Sequence, residues 1–175
     1  MKHLLFCLLV AAATKANCQQ STPSVRSILL AQFQTTWNKE EWFVPVMQSL
    51  QGLTAKQAMW KPSDSSHSVG QLAYHLLFWN KHALDKFNGK NPPDFTGDNK
   101  ETFTAFTEAS WASTIQQLDE VMKEWETIIK TTDETKLQAW YSTISHISTH
   151  NAYHTGQILY IRKLQGSWDP EKGVK

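Results

Sequence analysis

Cysteine is scarce in this sequence. Cys7 and Cys18 are the only two cysteines among 175 residues, and both lie close to the N-terminus. A disulfide framework needs several cysteines spread along a domain, and a catalytic thiol has to lie within the folded part of the chain. The sequence therefore excludes a disulfide-stapled scaffold and a cysteine nucleophile, so that the domain has to be stabilised by packing.

An excess of charge of one sign is also missing. The chain has 17 Lys and Arg against 16 Asp and Glu, a net charge of +1, and no basic cluster follows one helix face. Such a balance does not favour nucleic acid as a partner. With 41% hydrophobic and 19% charged residues, the composition is that of an ordinary globular protein. The length suits one domain with a substantial core.

Long apolar runs are limited to the segment Leu4–Ala13, which follows Lys2 and precedes small residues ending at Ala16. This run is too short to span a bilayer, so no membrane-spanning helix is predicted. Its arrangement is typical of a secretory signal peptide over residues 1–16. We therefore expect an exported protein, periplasmic or secreted, that is cleaved near residues 16–18. A short buried N-terminal helix is the alternative.

A second alternative concerns the residues after the cleavage site, 17–23, which form a polar leader. Cys18 would be the lipid-bearing residue of a lipoprotein. The polar residues Lys15 and Asn17 before it fit a lipoprotein signal poorly. Cleavage without lipid anchoring is therefore the favoured interpretation.

Strand signals are absent, and apolar residues recur every three and four positions in four segments. We predict an all-α protein, an antiparallel four-helix bundle over residues 24–168, followed by a tail at 169–175. The first helix is predicted to start at Ser24, to kink at Pro45 and to end at Gly52. The second begins at an N-cap on Ser65 or Ser66.

The second helix is expected to end at Gly89, and residues 89–107 form a long loop of the kind that is often functional. The third helix carries the apolar stripe from Trp111 to Ile129 and breaks at residues 131–133. The fourth begins near Ser142 or Thr143 and ends at the C-cap Gly166.

Three histidines of the fourth helix, His146, His150 and His154, are spaced four residues apart. By the helical step of 100° per residue, His154 lies about 20° from Ile147 on the apolar stripe, His150 about 60° and His146 about 100°. His150 and His154 thus face inward, one turn apart, and can bring two imidazoles to one ion. The alternative is a pair of core histidines that are hydrogen-bonded or face a groove.

A third ligand has to come from a facing helix. His75 is the best candidate because it lies mid-helix between Leu72 and Trp79. His67 and His82 lie near the ends of the same helix and are expected to be solvated surface residues. A di-iron site is excluded because no histidine has a glutamate three residues before it.

Two segments carry a resemblance to a known family. Residues 146–158, HISTHNAYHTGQI, closed by Arg162 and Gly166, resemble the last helix of the DinB-like superfamily, and residues 68–76, SVGQLAYHL, resemble its second helix. The resemblance extends in helix layout over residues 24–166. It implies a divalent metal held by His75, His150 and His154. Where many members have an arginine after the last histidine, this chain has Thr155.

The resemblance implies two chemistries, since members are described as metal-dependent hydrolases and wider relatives transfer low-molecular-weight thiols. Three neutral nitrogen ligands leave a coordination position open, as in catalytic zinc sites. Zinc is the expected ion, with nickel as the alternative. Candidate supporting or pocket residues are His146, Tyr74, Trp79, Trp111, Tyr153 and Gln157.

No carboxylate of the inward surfaces stands out as a general base, a lack that disfavours a hydrolase, whereas export disfavours thiol transfer. Three hypotheses stay open: a metal-dependent enzyme acting on a small molecule, a metal-binding module without turnover, and a bundle stabilised by its metal. A homodimer that pairs through a helix face is the expected assembly. The exposed aromatics could alternatively line a pocket.

Overall fold

A computed structural model describes residues 22–173 of the chain. The predicted signal peptide, most of the leader and Cys18 lie outside these residues. Within them, every regular element is helical and no strand is present. The α-helices are α1 (Val25–Trp37), α2 (Val46–Leu50), α3 (Ala55–Met59), α4 (Val69–Phe87), α5 (Glu101–Thr104), α6 (Trp111–Thr131) and α7 (Glu134–Gln165).

The four long helices α1, α4, α6 and α7 form the bundle, which confirms the predicted all-α class. Helices α1 and α4 each pack against both α6 and α7. Arg26 at the start of α1 donates to the carbonyls of Ile129 and Thr132 at the end of α6, so these two helices run antiparallel. Phe87 at the end of α4 packs on Trp140 near the start of α7, which makes that pair antiparallel as well.

The two remaining neighbouring pairs run in the same direction. Arg26 also forms an ion pair with Glu134, the first residue of α7, so α1 and α7 are parallel. Gly70 at the start of α4 lies against Phe106, just before α6, and Asn88 after α4 donates to Glu124 in α6. Because α4 and α6 are parallel, the chain between them has to return along the bundle. Residues 88–110 make this crossover and carry α5 across the side of α4.

The first predicted helix is divided in the structure. Helix α1 ends at Trp37 rather than continuing to Gly52, and Pro45 is the N-cap of the separate short helix α2. A proline has no N–H to continue a helix, but it fits well at a helix start. The buried Arg162 of α7 holds α2 in place by donating to the carbonyls of Ser49 and Gln51.

Two predicted helix starts were also wrong. Helix α4 begins after Ser68, not Ser65 or Ser66, because Ser68 and Gln71 form a reciprocal capping box. Helix α7 begins at Glu134, about two turns before Ser142, because Asp133 accepts a hydrogen bond from the backbone N of Lys136 and caps the helix. The breaks at residues 131–133 and at Gly166, where φ is 73°, agree with the prediction.

The core lies between the four long helices. Its largest fully buried side chains include Phe33 of α1, Leu72 of α4, and Leu118 and Trp125 of α6. Large apolar side chains removed from water supply the main favourable free energy of folding. Within residues 22–173, no helix combines the length and the apolar character that crossing a membrane requires.

Candidate metal centre

Helices α4 and α7 bring three histidines to one point. His150 and His154 lie one turn apart on α7, and His75 reaches them from the antiparallel α4. His150 Nε2 lies 3.1 Å from His75 Nε2 and 3.0 Å from His154 Nε2. Among residues 22–173, these side chains form the one group of three or more metal-binding residues whose ligand atoms all lie within 4.8 Å of one another.

The spacing of the three nitrogens suits a divalent ion. Tetrahedral zinc with Zn–N bonds of about 2.0–2.1 Å separates neighbouring ligand nitrogens by roughly 3.3 Å. The two Nε2 separations, 3.1 and 3.0 Å, are close to that value. The cluster can therefore hold a metal ion with small side-chain adjustments, on one ligand from α4 and two from α7.

Thr102 fixes the orientation and the tautomer of His75. The Thr102 hydroxyl donates its proton to the carbonyl of Asn99, at 2.7 Å. At 2.5 Å from His75 Nδ1 it must therefore act as acceptor there, so that Nδ1 carries the ring proton. The Nε2 lone pair of His75 is left facing the other two histidines. Such outer contacts are typical of metal-binding histidines.

Gln157 does the same for His154. Its Oε1 lies 2.7 Å from His154 Nδ1, and an amide oxygen can only accept, so the ring proton is on Nδ1. Gln157 lies one turn after His154 on α7, which means that one helix supplies both the histidine and its orienting partner. Two of the three rings thus present an unprotonated Nε2 to the common point.

The surroundings keep the imidazoles neutral. His75 is 2% exposed and His154 6% exposed. Burial, and next the neighbouring histidines, lower the pKa of His75 to about 3, and the same two causes lower the pKa of His150 to about 4. Burial also lowers the pKa of His154, against the opposing effect of Gln157. At neutral pH the lone pairs are therefore available to a metal without loss of a proton.

A stack of three rings forms one wall of the site. Phe103 of α5 lies between His75 and His67, with ring centroids 4.0 and 3.9 Å away and planes within 6° and 9° of parallel. His67 is half-buried, so the expectation of a solvated surface histidine was wrong. His82 is half-buried too and packs beside Phe78, away from the cluster.

The three histidines face a cavity of about 900 Å³, a volume within the range of small-molecule sites. Trp79, whose indole donates to the side chain of Asn99, forms part of its wall. Asp98 is the one carboxylate among the lining residues, and one of its oxygens accepts from the backbone N of Lys100. Lys100 itself contributes a positive charge to the exposed rim.

Next to the three histidines, the contact between α4 and α7 contains two buried amides, Asn80 and Asn151. Asn80 is 1% exposed, and its Nδ2 donates to Asn151 and to the carbonyl of Leu76. Its Oδ1 is buried without a hydrogen-bond partner. Asn151 is fully buried and donates to the sulfur of Met122. A buried polar pair of this kind costs stability wherever a hydrogen bond is left unmade.

The structure brings most of the predicted pocket residues to the cavity. Trp79, His146, Tyr153 and Gln157 all line it, and His146 is exposed at the rim, outside the three-histidine cluster. Tyr74, the residue before His75, faces a different, smaller cavity near Gln117, because neighbouring helical residues point about 100° apart.

Trp111 is likewise not brought to the site. It is buried at the start of α6, where its indole donates to the carbonyl of Leu53 and its ring packs against Phe106.

Sequence reasoning missed the contribution of the crossover. Thr102, Phe103 and Asn99 reach the site from residues 88–110, and the length of this loop was the only signal that indicated a functional role for it. On a helix, a spacing of three or four residues shows which side chains share a face. An irregular segment has no such period, so its contribution to the site cannot be predicted in this way.

The fold and the site together define a helical bundle with a three-histidine cluster between two of its long helices. The family model of the DinB superfamily matches residues 46–158, more than half of the chain and including all three histidines. The chain belongs to the DinB superfamily. Among curated proteins and among solved structures, no match to this chain is found.

Proposed function

We propose that this protein is a metal-dependent hydrolase of small molecules, with a divalent ion, most simply zinc, on His75, His150 and His154. One observation carries the proposal: three imidazole nitrogens converge at the wall of an open cavity of about 900 Å³. Three-nitrogen sites with an open position are the catalytic type of zinc site, in contrast to closed structural sites.

An ion held there supplies a Lewis acid that lowers the pKa of a bound water toward neutrality. The protein supplies the orientation. Thr102 and Gln157 hold the rings of His75 and His154, and Phe103 packs flat on His75. His67 also lines the cavity, and burial, and next the charge of Lys61, lower the pKa of its ring.

Thiol transfer is the second candidate, and a specific observation favours it. Asp98, the one carboxylate lining the cavity in the described part of the chain, is exposed and engaged by a backbone N–H. A hydrolase needs a general base near its water, whereas a thiol becomes nucleophilic on the metal itself. A site without a dedicated carboxylate therefore suits a thiol cosubstrate.

The first experiment measures the metal content of the protein, purified without a metal-binding tag, beside the double variant His150→Ala, His154→Ala. We expect one equivalent of a divalent metal in the parent and none in the variant. A parent that stays free of metal after incubation with excess zinc would contradict the proposal.

Cobalt substitution then separates the two chemistries. In the cobalt form, a thiolate ligand gives an intense charge-transfer band, whereas water does not. Hydrolysis of small esters without a thiol effect supports the hydrolase, and a band with a low-molecular-weight thiol supports the transferase. If neither thiols nor small anions perturb the cobalt spectrum, the metal is closed to ligands, and the non-catalytic metal-binding module replaces both.

Export and self-association are further parts of the proposal. We propose that residues 1–16 are removed on export, on the grounds of the apolar run Leu4–Ala13 after Lys2. N-terminal sequencing of protein recovered from a secreting host is expected to start near residue 17. Light scattering is expected to give the mass of a homodimer.

A further inference from the structure

A second cavity adjoins the histidine site and follows the outer face of α7. Its volume is about 680 Å³, and it shares the lining residues His67, Tyr153 and Gln157 with the first cavity. Beyond these shared residues, it runs between α7 and the segment before α4, past Leu72 and Ile161 to Leu164. The two cavities thus meet at His67, Tyr153 and Gln157. The second cavity, here called the groove, adjoins the histidine site at one end, and its other end, at Leu72, Ile161 and Leu164, is apolar.

Gly156 makes the floor of the apolar end deep. It lies inside the 32-residue helix α7, and a Cβ placed on it would have no atom within 4 Å outside its own helix backbone. A glycine in a helix interior is less favourable than an alanine, and here no neighbouring element demands it. Its effect is to leave the space above the helix open.

Two tyrosines border this space. Tyr153 precedes Gly156 by three residues and Tyr160 follows it by four, so both lie on the same helix face. Each is 64% exposed, an unusual state for rings that could otherwise pack on the core. At 1.5 Å per residue, the stretch of α7 from Gly156 to Leu164 is about 12 Å long, enough for a tail of several carbons.

We infer that the second cavity is the subsite for the apolar tail of an amphiphilic substrate, an ester or amide whose polar reacting group lies at the three histidines. The inference rests on the proposed function for the identity of the reacting group. The subsite itself rests on three observations: the lining residues that the two cavities share, the open space over Gly156, and the exposed rings of Tyr153 and Tyr160.

The test uses 4-nitrophenyl esters of unbranched acids from acetate to decanoate and the metal-loaded protein. We expect kcat/KM to rise by about fourfold for each methylene that enters the groove, the factor that corresponds to burial of one CH₂. The variant Gly156→Leu places a branched side chain in the groove and should remove most of this chain-length dependence. The control variant Tyr141→Ala, on an exposed tyrosine of α7 outside both cavities, should retain it.

A binding measurement separates this inference from the proposed hydrolysis. Decanoate is titrated against acetate by calorimetry into the parent, Gly156→Leu and Tyr160→Ala. Decanoate binding that is weakened about tenfold or more in both variants supports the subsite even if no ester is hydrolysed. Equal affinity of the parent for the two acids would overturn it. So would unchanged decanoate binding in Gly156→Leu combined with a halved mass in light scattering, since the groove would then be covered by a second copy of the chain.

Discussion

The two long-helix contacts of α7 differ in chemistry. Toward α1, the bundle is closed by apolar side chains, with Leu29, Phe33 and Trp37 at most 4% exposed. Toward α4, the buried residues include the imidazoles of His75 and His154 and the amides of Asn80 and Asn151. We call these the apolar seam (Leu29, Phe33, Trp37) and the polar seam (His75, Asn80, Asn151, His154).

The two seams contribute differently to the stability of the bundle and to the candidate metal site. An apolar seam gains free energy from every side chain it buries, without demanding exact orientation. A polar seam gains little net free energy, and each buried polar atom without a hydrogen bond costs stability, as at Asn80 Oδ1 here and at Trp37 Nε1 in the apolar seam. The two histidines of the polar seam belong to the cluster that can hold a metal ion. The predictions below change residues of the two seams and of the crossover, and they measure zinc affinity and the free energy of unfolding.

The largest expected effect is on metal binding by His75→Ala. Loss of a ligand should weaken zinc binding by more than the roughly 100-fold that marks the upper range for loss of a supporting residue. His82→Ala on the same helix, outside the cluster, is the control and should bind normally. A competition titration with a chromophoric chelator gives both affinities. Equal weakening in the two variants would show that α4, rather than its ligand, had been damaged.

Phe33→Ala in the apolar seam should lower the free energy of unfolding by about 3–5 kcal/mol, the usual cost of emptying a large aromatic core site. Zinc affinity, measured where the variant is still folded, should change little. Urea denaturation of the metal-free protein gives the first quantity and chelator competition the second. A marked loss of zinc affinity would mean that the two seams are coupled.

Thr102→Val keeps the shape of the side chain and removes the acceptor for His75 Nδ1. Zinc affinity should fall about 10–100-fold, as for other residues that orient a metal-bound histidine. Thr104→Val is the matched control, because Thr104 belongs to the same helix α5 but is exposed and bonds only to the carbonyl of Glu101. Similar zinc affinities for the two variants would show that Thr102 does not orient His75.

The last prediction concerns the pH dependence of the metal-free protein. The folded pKa values of His75 and His150, about 3 and about 4, lie below the ordinary value of 6.5, so the unfolded chain takes up more protons. Stability is therefore complete above about pH 6.5 and falls as the pH drops toward these folded values.

Urea midpoints at pH 7, 6 and 5 should decrease in that order. The urea midpoint of His75→Phe should decrease less steeply with falling pH. A decrease as steep as that of the parent would show that His75 does not contribute to the pH dependence of stability.

The bundle could be predicted because its long helices carry apolar stripes with a helical period. The helix boundaries could not be predicted, because individual residues set them. Asp133 caps the start of α7 directly after α6 ends, and Pro45 starts a new helix where a kink was expected. Such choices depend on single hydrogen bonds that the apolar period does not record.

The three histidines could be predicted because His150 and His154 are one helical turn apart and His75 is central in a facing helix. Thr102 and Phe103 could not. Their position follows from the parallel arrangement of α4 and α6, which forces the crossover past His75. The same arrangement brings His67 against Phe103, although its place at the N-terminus of the predicted helix indicated a surface residue.

Two of the candidate ligands lie on α7 and the third lies on α4, far away in sequence. This division affects the rates of folding and unfolding. His150 and His154 come together as soon as α7 is helical, but His75 joins them only across 75 residues of chain. Contacts of such sequence separation form at a large cost in loop-closure entropy. A metal ion bound to all three ligands therefore acts mainly on the completed bundle and slows its unfolding, while the rate of folding is left almost unchanged. The ion would stabilise the folded bundle against unfolding and would not nucleate its folding.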